Sequence, residues 1–291
     1  MTGMTGMRGT PGMPFPRSLL FVPANRTEMF ARAWESEAQG VIFDLEDSVP
    51  AAHKGAAREA LVSLQPPDGW ARPIYVRLNS YGTDAFDLDL HTVASMTAPL
   101  AGVMLPKVER ATQVRDVDAA IAVHERPDRR LALILLIETP GGVLRVSELA
   151  DCGVTRVTAF AFGAEDYRAG MRVDVLDPAL ADFARASVAN AAAAAGVPAI
   201  DAPLLQVDDT DRLRDAARHA RALGFHSKFA IHPSQVPFIH EAFAGGGDRA
   251  WALRAVEAYE RAARDGHGSV ALDGRMVDEA TMKRARDILE A

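Results

Sequence analysis

The chain places a carboxylate where apolar sequence would bury it. Glu138 follows seven apolar residues, 131–137, and precedes Thr139-Pro140-Gly141-Gly142, so it stands at the end of a buried strand beside a glycine turn that opens a helix. A bare carboxylate there is costly unless a cation or strong donors satisfy it. The next β-like run, VTAFAFGAED, delivers Asp166 to the same rim, with Glu165 expected to turn elsewhere. Two oxygen ligands from adjacent strands suit Mg2+, which takes one or two protein carboxylates and keeps water or substrate oxygens in its other positions. A pair of salt-bridged structural acids would leave the same trace.

Arg77 ends a strand in VRLN, and its planar fork suits bidentate contact with a substrate carboxylate, or else an ion pair with the acids Asp44, Glu46 and Asp47. Spacing on a strand would send Asp44 and Glu46 to one face and Asp47 to the other. Arg17, Arg77 and Lys107 are the cations available to them, so part of the cluster reads as scaffold. Lys107, in LPKVE, could be a Schiff-base nucleophile of a metal-free aldolase, although an ion pair with Glu46 or Asp47 explains it more simply. His232, before Pro233, reads as a strand-end hydrogen-bonder. The sequence contains no HxH, HExxH, GxSxG, Walker-type or GxGxxG signature, which removes support for zinc, acyl-serine, nucleotide and dinucleotide chemistry.

Eight runs must position these groups: RSLLFVP, GVIFDLED, PIYVRLN, GVMLPKV, LALILLIET, VTAFAFGAED, PAIDAP and SKFAIHP, separated by Ala/Arg/Glu-rich amphipathic stretches. Nearly all begin apolar and end polar. Parallel strands with crossover helices would bring those ends to one rim, so the alternation predicts a (β/α)8 TIM barrel, an α/β fold, over residues 17–245. Residues 1–16, rich in Gly, Pro and Met, read as a disordered leader. Residues 246–291 read as a C-terminal helical extension: a helix around 251–263, a glycine-rich joint GHGSVALDGR, and an amphipathic helix from about Asp278. The glycines 245–247 would hinge this extension over its own barrel mouth or that of a neighbouring subunit.

The 291 residues are 48% hydrophobic and 24% charged, which excludes disorder, and 32 Lys+Arg against 39 Asp+Glu leave a net charge of −7. No global basic field exists to attract nucleic acid or an anionic membrane. No apolar run approaches the roughly 20 residues of a membrane span. The single cysteine, Cys152, allows no internal disulfide and fits a cytoplasmic setting.

The segments RSLLFVPANR, GVIFDLEDSVP, YVRLNS, GVMLPKVE, LILLIETPGGV, AFGAEDYRAGM, SKFAIHPSQV and DGRMVDEATMKRA, in that order, resemble the citrate lyase beta-subunit and malyl-CoA lyase family of HpcH/HpaI-type aldolases. The resemblance implies a Mg2+-dependent barrel, a homo-oligomer such as a trimer or hexamer. Such an enzyme cleaves or forms a carbon-carbon bond between a 2-oxo acid and an acyl thioester of coenzyme A or an acyl carrier protein. It makes Glu138 and Asp166 the metal ligands and Arg77 the holder of the oxo acid, with Arg17 beside it. Glu46 and Lys107 match polar positions of the pocket, and Asp278 matches an acid/base that a neighbouring subunit can supply. Ala24 stands in VPANR where many relatives have glycine. Two other readings share these residues: an aldolase releasing pyruvate from a free hydroxy-oxo acid, and an accessory beta subunit of a multi-subunit citrate lyase. The joint presence of Glu138, Asp166 and Arg77 argues against a chain without activity.

Overall fold

A computed structural model describes residues 15–126, 129–175, 177–244 and 246–290. Contacts divide the chain into two units, 1–243 and 244–291.

The first unit is a closed barrel of eight parallel strands in sequential order. The strands are β1 (Ser18–Pro23), β2 (Gly40–Asp44), β3 (Ile74–Arg77), β4 (Leu100–Leu105), β5 (Ala132–Ile137), β6 (Val157–Phe162), β7 (Ala199–Asp201) and β8 (Ser227–Ala230). Each coincides with one of the eight expected runs. β2 is buried on every residue, because its side chains alternate between the barrel interior and the helical layer and both are dry. Ile42, Tyr75, Ile134, Leu136, Ala161 and Phe229 belong to the inner cluster, whereas Val41, Phe43, Leu135, Ile137 and Phe162 face the helices in the larger outer one. Phe15 packs against the inner cluster and Pro16 is buried, so the last two residues of the expected leader belong to the barrel; 1–14 lie outside the described residues.

Arginines tie the opposite, N-terminal rim together. Arg72, just before β3, donates to the carbonyls of Trp34, Ser36 and Ala38 at 2.5–2.7 Å, closing the end of helix Glu28–Glu35. Arg129, before β5, donates to Val93 and Ala98 at the end of helix Asp84–Ser95. Carbonyls without intrahelical partners are thereby satisfied by side chains two strands ahead.

The second unit contains helix Gly246–Arg264, strands β9 (Val270–Leu272) and β10 (Arg275–Val277), and helix Glu279–Glu290 around its own core of Ala252, Ala255, Val277, Met282 and Ala285. Two of the three expected hinge glycines begin the first helix; Gly245 lies outside the described residues. The glycine-rich joint is an antiparallel hairpin. Asp273 and Gly274 both have positive φ, 49° and 74°, as a two-residue type I′ turn requires. No helix among the described residues is long and apolar enough to cross a membrane.

At Gly102 the β4 backbone approaches β5 so closely that a Cβ would lie 2.3 Å from the Ala132 carbonyl oxygen. Gly102→Ala is expected to cost about 1–3 kcal/mol. Gly55→Ala, in open space on a helix, should instead be neutral or stabilise by up to about 1 kcal/mol. Urea unfolding midpoints check both, and equal midpoints for the two variants would refute the close-approach argument.

Candidate active site

Alternation builds the site. The inward positions Ile42, Tyr75, Leu136, Ala161 and Phe229 are followed two residues later by Asp44, Arg77, Glu138, Gly163 and Ile231, all of which line one cavity of about 470 Å3 at the C-terminal rim. Phe21 and Pro23 of β1 and the loop residues Pro203 and Leu205 also line it. This is the rim on which such barrels carry their chemistry.

Asp44 and Arg77 are register partners on adjacent strands, which aligns the guanidinium with the carboxylate. Arg77 Nε donates to Asp44 Oδ1 and Nη2 to Oδ2, each at 2.6 Å. Burial alone would raise the Asp44 carboxyl, but the charge and hydrogen bonds of Arg77 outweigh it and hold it below the ordinary carboxylate range. Arg77, although buried, is likewise kept protonated by Asp44 first and Glu46 next. Its Nη1 is left beside Glu46 Oε2 at 3.2 Å, and that buried oxygen accepts no hydrogen bond.

Lys107 links the remaining acids. Its Nζ lies 2.6 Å from Glu46 Oε1, 3.3 Å from Asp47 Oδ1 and 3.5 Å from Asp166 Oδ2. Partial burial disfavours its charge, yet the Glu46 hydrogen bond and the surrounding carboxylates favour it, as the ion-pair reading expects. Asp47 therefore shares a cation with Glu46 rather than facing away from it. The expected opposition fails because β2 ends at Asp44, and strand alternation no longer governs residues 45–47. The Lys107 backbone is left-handed, φ 53°, and its N–H donates to Glu138 Oε1 at 2.9 Å. One residue thus touches Glu138 through its backbone and Asp166 through its side chain, at the cost of a strained conformation.

Glu138 is 3% exposed. Burial first, then the negative charge of Glu46, pushes its carboxyl well above the usual range, against the pull of Arg77. Such a group calls for more positive charge than the protein provides. The Glu138 side chain packs directly against the Gly163 backbone: a Cβ there would stand 2.5 Å from Glu138 Cβ and 2.6 Å from its Oε2. Asp166, in the first turn of helix Ala164–Gly170, lines the same cavity and raises the Glu138 carboxyl further. Among the described residues no group of three or more His, Cys, Asp or Glu could enclose a metal. Two carboxylates with open positions remaining fit Mg2+ rather than a caged ion. Glu165 also lines the cavity, while bonding to Arg168 at 2.9 Å.

Two expected site residues stand apart. Arg17 precedes β1 and is a correction: its N–H donates to Gln39 and its carbonyl accepts from Lys228, at the N-terminal rim. Strand polarity explains this, since the six residues of β1 put roughly 20 Å between Arg17 and the mouth. Asp278 belongs to the second unit, where its Oδ1 accepts from the backbone N–H and hydroxyl of Thr281, both at 2.9 Å, and caps the last helix. The Thr281 hydrogen bonds hold its carboxyl below the usual range. His232 bonds Ser234, as a strand-end residue does.

The supports of Glu46 escaped the sequence reading. Lys54 Nζ donates to the Leu45 and Glu46 carbonyls at 2.7 and 3.0 Å, and Asn79 Nδ2 donates to Leu45 O and to buried Asp89. Asp89 carried a usable signal, a carboxylate on the face of helix Asp84–Ser95 that buries Phe86, Leu90 and Val93.

The profile of the HpcH/HpaI aldolase/citrate lyase family matches residues 17–233. The citrate lyase subunit beta-like protein of Deinococcus radiodurans is 35% identical over 286 residues, covering 94% of this chain and 96% of the relative. The crystal structure of protein CitE from Mycobacterium tuberculosis in complex with magnesium, acetoacetate and coenzyme A superposes with a TM-score of 0.77 at 34% identity, over 94% of this chain and 97% of that one. The M. tuberculosis citrate lyase beta subunit complexed with oxaloacetate and magnesium gives 0.67 at 35% identity, over 78% and 96%. With its barrel, its rim carboxylates and these relatives, the chain belongs to the HpcH/HpaI aldolase/citrate lyase family.

Proposed function

We propose that this protein is a Mg2+-dependent carbon-carbon lyase that cleaves a 3-hydroxyacyl thioester of the citramalyl, malyl or citryl type into a 2-oxo acid and an acyl thioester. The observation that carries the reading is Glu138, a buried carboxylate raised well above its usual range beside Asp166 and opening into the cavity that Arg77 lines. Glu138 and Asp166 would hold the metal, and the ion would supply Lewis-acid stabilisation of the substrate oxygen that gains negative charge.

The protein's own groups do the rest. Arg77, locked by Asp44 on one edge, keeps Nη1 and the second Nη2 proton to orient the carboxylate next to the reacting carbon. Lys107 holds Glu46, Asp47 and Asp166 against mutual repulsion. Asp278 returns a proton to the enolate carbon left on the thioester, or removes it in the condensing direction. Its assignment is supported by the match of GRMVD to the family's C-terminal segment. Coenzyme A, the ligand named for the M. tuberculosis relative, is the proposed acyl carrier. The proposed working form is a homo-oligomer, a trimer or hexamer, whose extension 246–291 caps a barrel mouth. The free, buried Cys152 fits a reducing cytoplasm.

Incubation of the purified protein with citramalyl-, malyl- and citryl-CoA should release a 2-oxo acid in Mg2+ and none in EDTA; release that ignores EDTA would defeat the reading. Asp278→Asn keeps a competent helix cap but no proton-transfer group, so kcat should fall about 100-fold or more with KM little changed, as steady-state kinetics will report. Asp44→Asn leaves Arg77 buried beside a neutral partner and should cost about 3 kcal/mol in urea unfolding at pH 7. Because the folded Asp44 carboxyl lies below its unfolded value of about 3.9, this contribution is present above that pH and is lost as pH falls through the lower folded value. The gap between wild type and Asp44→Asn should therefore close in acid.

A further inference from the structure

The stretch of cavity wall from 202 to 205 has no strand pairing to hold it. β7 ends at Asp201, paired there with Lys228 of β8, yet the in-and-out alternation of the chain continues past that point. Ala202 and Leu204 pack into the outer core, while Pro203 and Leu205 line the cavity. The carbonyls of Ala202 and Leu204 lie beyond the strand ladder and need donors from elsewhere. Two buried side chains provide them. Lys228 Nζ donates to Ala202 O at 2.5 Å, and Gln235 Nε2 donates to Leu204 O at 2.8 Å. Gln235 Oε1 accepts in turn from the N–H of Ile231 at 2.9 Å, and Ile231 lines the same cavity. One side-chain amide thus joins two stretches of its wall.

Charge balance does not account for Lys228. Its side chain is 3% exposed, and Nζ lies 2.5 Å from Asp201 Oδ2. Asp201 already has a complete partner in Arg185, whose Nε donates to Oδ1 at 3.0 Å and Nη2 to Oδ2 at 3.1 Å. A buried ammonium is costly to desolvate, and Asp201 does not require a second cation. What Lys228 adds is the donor to Ala202. Leu205 shows what that donor secures: it is 46% exposed, an apolar side chain kept at the cavity while its neighbour Leu204 joins the core. Apolar surface left open at the edge of a site is surface that a bound molecule can cover.

Resting on the lyase reading, we infer that Lys228 and Gln235 are positioning residues of the reaction. They clamp residues 202–205 into a fixed apolar wall against which the substrate is seated, and they act through Pro203 and Leu205 without touching the substrate themselves.

The test joins amide hydrogen exchange to steady-state kinetics on the full-length protein in Mg2+, with citramalyl-, malyl- and citryl-CoA. Lys228→Met keeps the apolar stem and leaves Asp201 paired with Arg185. Gln235→Glu keeps an acceptor for Ile231 and removes the donor to Leu204. Each should speed exchange at residues 202–206 about 10-fold or more while leaving β5 and β6 protected. Each should also raise KM for the cleaved thioester roughly 10-fold, with kcat within about 2-fold of the wild type. Leu205→Ala changes only an exposed side chain, so it should leave exchange unaltered and raise KM about 5-fold. Slow exchange at 202–206 in both clamp variants, faster exchange throughout the barrel, or an unchanged KM in Leu205→Ala would each overturn the inference. Loosening confined to 202–206 in the variants, with no thioester cleaved even by the wild type, would uphold the clamp and defeat the lyase reading.

Discussion

The ion pair between Asp44 and Arg77 is the contact on which the site is built. It joins two side chains that strand register already places opposite each other, and both are almost wholly buried, with 1% and 12% of their side chains exposed. In water an exposed pair of this kind contributes little. Here each partner makes the other's charge tolerable inside the barrel mouth, and the fork that results points the rest of the guanidinium at Glu46 and the cavity. Glu46 then holds Lys107, and Lys107 reaches Glu138 by its backbone and Asp166 by its ammonium. The chain of contacts runs from a strand pairing to the proposed metal ligands without passing through solvent.

The two rims of the barrel solve different problems with the same residue type. At the N-terminal rim, Arg72 and Arg129 spend their donors on backbone carbonyls at helix ends, and Arg156 joins Leu131 O to Glu125 at 2.8 and 3.0 Å. These contacts stabilise the scaffold and present no free chemistry. At the C-terminal rim, arginine and lysine face carboxylates that outnumber them, an imbalance a metal cation can relieve. The separation follows from strand polarity.

The barrel was legible because each strand is a short apolar run with a polar end, and Glu138 was legible because a charge interrupts that rule. Alternation also aligned Asp44, Arg77 and Glu138 on inward positions two residues beyond Ile42, Tyr75 and Leu136. Where the backbone leaves the strand the rule lapses, as at Asp47 and at Lys107, whose left-handed φ no pattern of residue types announces. Arg17 was misplaced because its type suited the chemistry while its position, before β1 rather than after it, did not. The hairpin of the second unit was signalled by Asp273-Gly274 with Val, Ala and Leu on one side and Met and Val on the other, a pattern hidden by reading its glycines only as flexibility.

Gly163 shows what such a reading of glycine leaves out. Its backbone, φ −110° and ψ 107°, is one that any L-residue adopts, so nothing in its conformation demands glycine. What demands it is the Glu138 side chain, whose Cβ and Oε2 would lie 2.5 and 2.6 Å from a Cβ at residue 163. Tolerance at this position is thus limited by the packing of the Glu138 side chain and not by backbone conformation. A side chain at 163 would therefore displace Glu138 from the position it holds at the barrel mouth. Packing and site geometry meet at this residue, so the identity of residue 163 in a related sequence bears on where its counterpart of Glu138 can stand.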